Sequence, residues 1–215
     1  MAADPADALA DLCLFGGAFN PPHLTHERMV RAAAAQLPVT RLLVLPTGQH
    51  PLKDPAGLAP AEIRLELCRL AFAGIPKVEV SDLELRRAGP SYTVDTLEWF
   101  REYVTQGRRP FWLVGSDNLT ILPSWHRYHD LLRLCALVAY PRVGHPIDGP
   151  ALRRLGLTAA ETEEIVRHAL RADPDEVSST DVRAALAAGR PITDVVAPAV
   201  AERVRALGLY GAPAP

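Results

Sequence analysis

Two glycines and two histidines stand close together near the start of the 215-residue chain. Gly16 and Gly17 directly follow an apolar run, and glycines after a strand let the main chain approach a ligand closely. His23 and His26 are three residues apart where a helix is predicted to begin, so both imidazoles lie on one face. Because the amides at a helix start bind anions, this segment suits a polyphosphate ligand.

Other interpretations of the two histidines stay open on these residues alone. Pro21 and Pro22 precede the pair, which favours the surface over the core. The segment His26-Glu27 begins like the zinc motif H-E-x-x-H, but the second histidine is absent, which argues against a zinc protease. A pair of solvated polar side chains is the remaining alternative. The chain has neither the G-x-G-x-x-G fingerprint nor a P-loop, which argues against the usual dinucleotide and NTPase sites.

Short apolar runs predict the strands that must position this segment. Continuous apolar runs are typical of parallel strands that are covered on both faces. The predicted strands are 12–15, 42–45, 77–80, 111–114 and 136–140.

Helical periodicity lies between and after these runs. Thr93 is predicted to cap one of the helices, and 158–172 fits either a helix or a strand. The predicted helices are 24–37, 60–73, 94–106, 179–188 and 197–207. Strands and helices alternate, which indicates an α/β fold: a Rossmann-like open parallel sheet with helices on both faces. We expect a tail over 1–10 and a single domain over 11–211, with a small helical part at about 179–211.

Polar loops follow four of the predicted strands. They begin at Gly16, Pro46, Gly115 and Pro141. The carboxyl ends of parallel strands share one edge of an open sheet, and ligands bind at that edge. We therefore expect these loops to meet around one site.

Composition excludes several other classes of protein. Hydrophobic residues make up 48% and charged residues 22% of the chain, and the net charge is −2. This balance argues against a nucleic-acid partner. No apolar run is long enough to span a membrane, so no membrane partner is predicted. Three widely spaced cysteines and an acidic N-terminus indicate free thiols and a cytoplasmic location.

Five segments in a fixed order resemble the HxGH nucleotidyltransferase superfamily and, within it, the bacterial nicotinate-mononucleotide adenylyltransferases. The segments are GGAFNPPHLTH at 16–26, SYTVDTL at 91–97, GSDNL at 115–119 with Trp125, VSSTDVR at 177–183 and LYG at 209–211. The resemblance covers about 11–211. Two positions depart from the family pattern: Thr25 replaces the glycine of HxGH, and the histidine usually next to Lys53 is displaced to His50.

The resemblance implies transfer of AMP from ATP to nicotinate mononucleotide, which gives deamido-NAD and pyrophosphate. By resemblance, the catalytic residues are His23, His26 and Arg183. The implied ATP contacts are Gly16, Gly17, Ala18, Phe19, Gly115, Asp117, Ser178, Ser179 and Thr180. The implied acceptor contacts are Asn20, Lys53, Thr93, Trp125, His126 and Arg142, with the Thr93 and His126 amides on the nicotinate carboxylate. Mg²⁺ is expected on the ATP phosphates and not in a protein metal site.

Two alternatives remain at this point. An enzyme of the same superfamily could use another acceptor, such as nicotinamide mononucleotide or phosphopantetheine. A nucleotide-binding protein without catalysis is the alternative from another class, and Thr25 and His50 are its only support.

Overall fold

A single sheet of five parallel strands forms the centre of the computed structural model, which describes residues 8–212. The strands are β1 (Leu9–Gly17), β2 (Arg41–Pro46), β3 (Val78–Val80), β4 (Arg109–Gly115) and β5 (Ala136–Tyr140). Their order across the sheet is β3-β2-β1-β4-β5, and every neighbouring pair is parallel. All five predicted strands are confirmed.

The strand order changes direction beside β1. The chain first builds outward on one side, through β2 and β3, and then returns to the other side to add β4 and β5. Connections after β1 and β4 therefore leave in opposite directions, and a crevice opens at the carboxyl ends of these two strands.

Nine helices surround the sheet within residues 8–212. They are α1 (Leu24–Gln36), α2 (Ala61–Ala71), α3 (Leu83–Arg86), α4 (Thr93–Tyr103), α5 (Tyr128–Leu134), α6 (Gly149–Arg154), α7 (Ala159–His168), α8 (Ser179–Ala187) and α9 (Pro198–Ala206). The three short helices α3, α5 and α6 were not predicted, because four to seven residues carry too little periodicity. No helix in this part of the chain is both long and apolar enough to cross a membrane.

Both faces of the sheet are covered by apolar cores, as predicted. On one face Cys13 and Phe15 of β1 pack with α1, α2, α8 and α9. On the other face Leu12 and Leu14 pack with α4, α5, α6 and α7. The predicted C-terminal helical part thus shares a core with α1 and α2. The three cysteines are free and buried, as predicted.

Three boundaries differ from expectation or decide between alternatives. β1 begins at Leu9, inside the predicted tail 1–10, because the carbonyl of Ala8 accepts from the amide of Arg109 and lengthens the strand pairing; residues 1–7 lie outside the described residues. The segment 158–172 contains a helix, α7, which the Thr158 capping box starts. Thr93 is the first residue of α4 and Tyr92 precedes it as the capping residue, so the predicted Thr93 cap is wrong.

A tryptophan from β4 fills the space beside the first glycine of the crevice. A Cβ atom on Gly16 would lie 2.6 Å from Cζ2 of Trp112, whose side chain is buried. Glycine at this position is therefore required by packing between strands, in addition to any approach of a ligand.

Replacing this glycine tests the packing. We expect Gly16→Ala to lower the free energy of unfolding by about 1–3 kcal/mol, because the buried indole must move. Urea denaturation without ligand measures the loss. Gly57→Ala is the matched control, since nothing lies within 4 Å of its added Cβ. Equal stability of the two variants would contradict the packing argument.

Candidate active site

The crevice between β1 and β4 is a cavity of about 870 Å³. Every site residue predicted from the sequence lines it, from Gly16 in the first loop to Arg183 in α8. The four loops that were expected to meet contribute to its walls, through Gly17, Thr47, Gly115 and Arg142 among others. The structure thus brings the predicted residues together, while their individual contacts with a ligand stay predictions.

The two histidines form one unit at the start of α1. Their ring centroids are 3.7 Å apart and the ring planes are tilted by 32°. The main-chain N–H of His23 donates to Nδ1 of His26 over 3.1 Å. Phe19 meets the His26 ring edge to face at 5.0 Å and holds it from the other side. Both imidazoles are therefore fixed before any ligand arrives.

Burial keeps both histidines uncharged. It lowers the pKa of His23 to about 3, and the nearby Arg142 guanidinium contributes. Burial, followed by His23 and Arg142, also holds the pKa of His26 well below its usual range. Since Nδ1 of neutral His26 accepts a hydrogen bond, its proton is on Nε2. His26 therefore offers an N–H donor that takes up no proton at neutral pH.

The start of α8 supplies main-chain donors to the same cavity. The Ser178 hydroxyl accepts from the Asp181 amide and bonds its carboxylate, which forms a capping box. The Ser179 hydroxyl donates to the carbonyl of Pro21 over 2.9 Å. Both hydroxyls donate to protein oxygens, and their contacts with a phosphate stay predictions. The capping box uses the Asp181 amide, so the amides of Ser179 and Thr180 are the first-turn donors left to bind an anion.

Arg183 and Asn20 tie the first loop to the C-terminal part. Arg183 Nη1 donates to the carbonyl of Asn20 over 2.9 Å. The Asn20 carboxamide donates to the carbonyl of Gly57 and accepts from the amide of Ala59 and the hydroxyl of Tyr210. Asn20 is 2% exposed. Its side chain therefore joins three segments of protein, while its contact with the acceptor stays a prediction.

Arg142 lies between two carboxylates on the wall opposite the first loop. Its Nε is 3.6 Å from Asp117, its Nη1 is 3.8 Å from Asp175, and its Nη2 donates to the carbonyl of Val177. Nη1 is buried without a hydrogen-bond partner within the described chain. The guanidinium thus holds the chain segment that leads into α8.

Thr93 and His126 bring two further main-chain segments to the cavity wall. Thr93 begins α4, where the first amides of a helix have no partner within the helix. Trp125 and His126 follow a 3₁₀ segment, Ser116–Ser124, and the Trp125 ring is partly buried against the second core. The rings of Tyr92 and His126 pack together at 4.5 Å. This contact places the chain segments that carry Thr93 and His126 side by side.

The two departures from the family pattern lie on the cavity walls. Thr25 is 1% exposed and its hydroxyl donates towards the carbonyl of Val177 over 3.5 Å. Its added atoms therefore pack against the chain before α8. His50 accepts from the amide of Leu52 over 3.1 Å, while Lys53 is exposed at the rim. Lys53 can reach a ligand from the rim, and His50 shapes the turn behind it.

Two further residues line or support the cavity and were not predicted. The Glu84 carboxyl is 2% exposed and accepts from the Thr96 hydroxyl over 2.7 Å, and burial raises its pKa to about 7. Arg64 is 1% exposed and lies under the first loop. The sequence pattern could have identified Arg64, because this residue falls on the same helical face as Leu67 and Cys68 of α2. A charge on an apolar face indicates a buried role.

Residues 8–212 contain no group of three or more His, Cys, Asp or Glu side chains arranged to hold a metal ion. Of the acidic side chains in the cavity, Asp117 lies beside Arg142 and Glu84 is bonded to Thr96. The site therefore offers donors for a negatively charged ligand and few ligands for a cation.

Comparison with known proteins relates this geometry to a family. The sequence pattern of the family described as Cytidylyltransferase-like matches residues 14–185. A protein of Roseiflexus sp. (strain RS-1), named "Probable nicotinate-nucleotide adenylyltransferase", is 38% identical over 202 residues, which cover 94% of this chain and 98% of that protein. A protein of Albidiferax ferrireducens with the same name is 37% identical over 197 residues, 92% of this chain and 96% of that protein.

A solved structure shows the same fold. It is described as Plasmodium falciparum nicotinic acid mononucleotide adenylyltransferase complexed with NaAD. It matches with a TM-score of 0.75 over 95% of this chain and 98% of that chain, at 16% sequence identity. The fold likeness and the sequence matches agree across nearly the whole chain. The chain therefore belongs to the Cytidylyltransferase-like family and, with its relatives, to the nicotinate-nucleotide adenylyltransferases.

Proposed function

We propose that the protein is a nicotinate-nucleotide adenylyltransferase, which transfers AMP from ATP to nicotinate mononucleotide and releases pyrophosphate. One observation carries the proposal. A single cavity is lined by neutral imidazoles and the start of α8, and also by the amide-bearing segments of Thr93 and His126. The first set suits the phosphates of ATP, and the second suits the carboxylate of the acceptor. The names of the sequence relatives support the same reaction.

The reaction requires alignment more than proton transfer. A phosphate oxygen of the acceptor attacks the α-phosphorus of ATP, a new P–O bond forms, and the bond to the leaving pyrophosphate breaks. The attacking oxygen is already ionised at neutral pH, so no general base is needed. Catalysis then depends on holding the two phosphates in line and on stabilising the negative charge that develops.

Different residues of the cavity are assigned to different parts of ATP. We assign His26 Nε2 to the ATP phosphates, because the His23 amide holds the other nitrogen of that ring. We assign the His23 ring to them as well, because it lines the cavity beside His26. The first-turn amides of α8 and the guanidinium of Arg183 would receive the β- and γ-phosphates. Gly115 leaves room beside Asp117, where a Cβ atom would collide with the carboxylate, and both lie on the adenosine side by resemblance.

Mg²⁺ fits this site as a companion of the substrate. Magnesium prefers oxygen ligands and keeps several waters, so phosphate oxygens can supply most of its coordination. When bound, the ion neutralises phosphate charge. The donors of His26 and α8 then orient the remaining oxygens. We also propose a cytoplasmic location, since three free buried thiols suit a reducing compartment.

Selection of the acid form of the acceptor follows from the amides of Thr93 and His126. A hydrogen bond to a charged group contributes about 1.5–3 kcal/mol. One such bond to the carboxylate therefore favours nicotinate mononucleotide over nicotinamide mononucleotide by roughly tenfold or more in kcat/KM. Trp125 lines the same cavity as Thr93 and His126, and its indole can stack on the pyridine ring of the acceptor.

Pyrophosphate release with ATP and Mg²⁺ tests this function. We expect nicotinate mononucleotide to be turned over at least about tenfold faster, as kcat/KM, than nicotinamide mononucleotide. Mass spectrometry of the product identifies the dinucleotide. Equal rates with both acceptors would remove the carboxylate argument. Binding of ATP without pyrophosphate release from either acceptor, or from phosphopantetheine, would favour a protein that binds nucleotide without catalysis.

Removal of the His26 donor gives a second prediction. We expect His26→Ala to lower kcat by roughly 10²–10³, the scale for losing one donor to the transition state. His129→Ala is the control, because His129 is half exposed on α5 and pairs with Glu161 away from the cavity. A folded His26→Ala enzyme with near-normal kcat would contradict the role of His26.

A further inference from the structure

Arg64 of α2 is a buried cation that binds only main-chain oxygens. Its Nε donates to the carbonyl of Ala59 over 2.9 Å, and its Nη1 donates to that of Ala18 over 2.8 Å. Its Nη2 donates to the carbonyls of Thr47 and Gly48 over 2.7 and 3.0 Å. Four of the five guanidinium hydrogens are thus directed at three loops.

These three loops are walls of the cavity. Ala18 belongs to the first loop after β1, Thr47 and Gly48 follow β2, and Ala59 lies just before α2. Other bonds join these loops in pairs: Asn20 links the first loop to Gly57 and Ala59, and the Thr47 amide donates to the carbonyl of Gly17. Arg64 joins all three loops through a single side chain, and it therefore helps to fix their relative positions.

The charge of Arg64 has no ion-pair partner. Among the described residues, no carboxylate lies within 4.0 Å of its guanidinium, although twelve other ion pairs occur in the same part of the chain. The groups that act on it at longer range are Cys68, Tyr210 and Glu62, of which only Glu62 is ordinarily charged. A buried charge without a partner costs several kcal/mol, so its retention indicates a use.

The field of this charge reaches the cavity. Burial, then Lys53 and Arg64, lowers the pKa of His50 to about 4. Burial, then Arg183 and Arg64, also lowers the pKa of Lys53. Both groups line the cavity, so a ligand in it lies within the same positive field.

We propose that Arg64 is a positioning residue with an added electrostatic role, because it joins three loops of the cavity and its positive charge, which has no carboxylate within 4.0 Å among the described residues, favours a polyanion bound there. The proposal rests on the proposed function, because it assumes that the cavity binds nucleotide phosphates. It explains why carbonyl oxygens, and not a carboxylate, hold the guanidinium. A carboxylate could also bond the guanidinium, but its negative charge would cancel the positive charge of Arg64.

A series of ligands with increasing charge separates this role from a merely structural one. Calorimetry measures the affinities of adenosine, AMP and ATP for the wild type, Arg64→Gln and Arg64→Lys. We expect Arg64→Gln to weaken the binding of ATP about tenfold or more and the binding of AMP by a smaller factor. Its affinity for adenosine should stay within about twofold of the wild-type value, since the lost interaction scales with the charge of the ligand. Arg64→Lys keeps the charge and should bind ATP with an affinity within about threefold of the wild-type value. Its kcat should be lower than that of the wild type, because the loops are held less firmly. Arg69→Gln makes the same charge change on the exposed side of α2 and should leave all three affinities unchanged.

The outcomes distinguish the two proposals. If the wild type binds no ATP, the proposed function fails before Arg64 is considered. If the wild type binds ATP but Arg64→Gln weakens all three ligands alike, the electrostatic role is wrong. If Arg64→Gln does not fold, Arg64→Lys carries the test: a fall in its ATP affinity relative to adenosine would overturn the proposal, and an unchanged ratio with lower kcat would support it.

Discussion

The reversal of strand order beside β1 is the constraint on which the rest of the structure depends. Because β2 and β4 flank β1 on opposite sides, the connections that leave β1 and β4 diverge and open a crevice at the carboxyl ends of these strands. Glycines at the ends of both strands keep this crevice open. Gly16 accommodates the buried Trp112 ring, and Gly115 accommodates the Asp117 carboxylate. Larger residues at either position would move the walls of the cavity.

The chemistry of the crevice depends on groups that are held in place before a ligand binds. These groups are either uncharged or already hydrogen-bonded within the protein. His26 is oriented by the amide of His23 and neutral because it is desolvated, so it donates to a ligand without taking a proton. The Ser178 hydroxyl caps α8 and the Ser179 hydroxyl bonds the carbonyl of Pro21, which leaves the amides of Ser179 and Thr180 as donors for a ligand. Such a site suits transfer between phosphates, where the reacting groups supply their own charge and the protein supplies alignment.

Much of this architecture could be predicted from the sequence, because its signals are local. Continuous apolar runs marked four strands and the shorter run KVEV marked the fifth, and the order of five short motifs marked the residues that meet in the cavity. The roles of single side chains were harder to predict, since their partners are distant in sequence. Asn20 bonds to Tyr210, 190 positions away, and Ser179 bonds to Pro21, 158 positions away. Arg64 was missed for the same reason, although its place on an apolar helix face was a usable signal.

A crystal structure with nicotinate mononucleotide and a non-hydrolysable ATP analogue would show whether the crevice aligns the two phosphates. We expect the His26 Nε2 atom within about 3.2 Å of a phosphate oxygen and the nicotinate carboxylate at the amides of Thr93 and His126. We also expect the acceptor phosphate in line with the α-phosphorus, about 3–3.5 Å away, with no side chain placed as a base. Nucleotide bound outside the crevice of β1 and β4, or a carboxylate far from both amides, would contradict this mechanism.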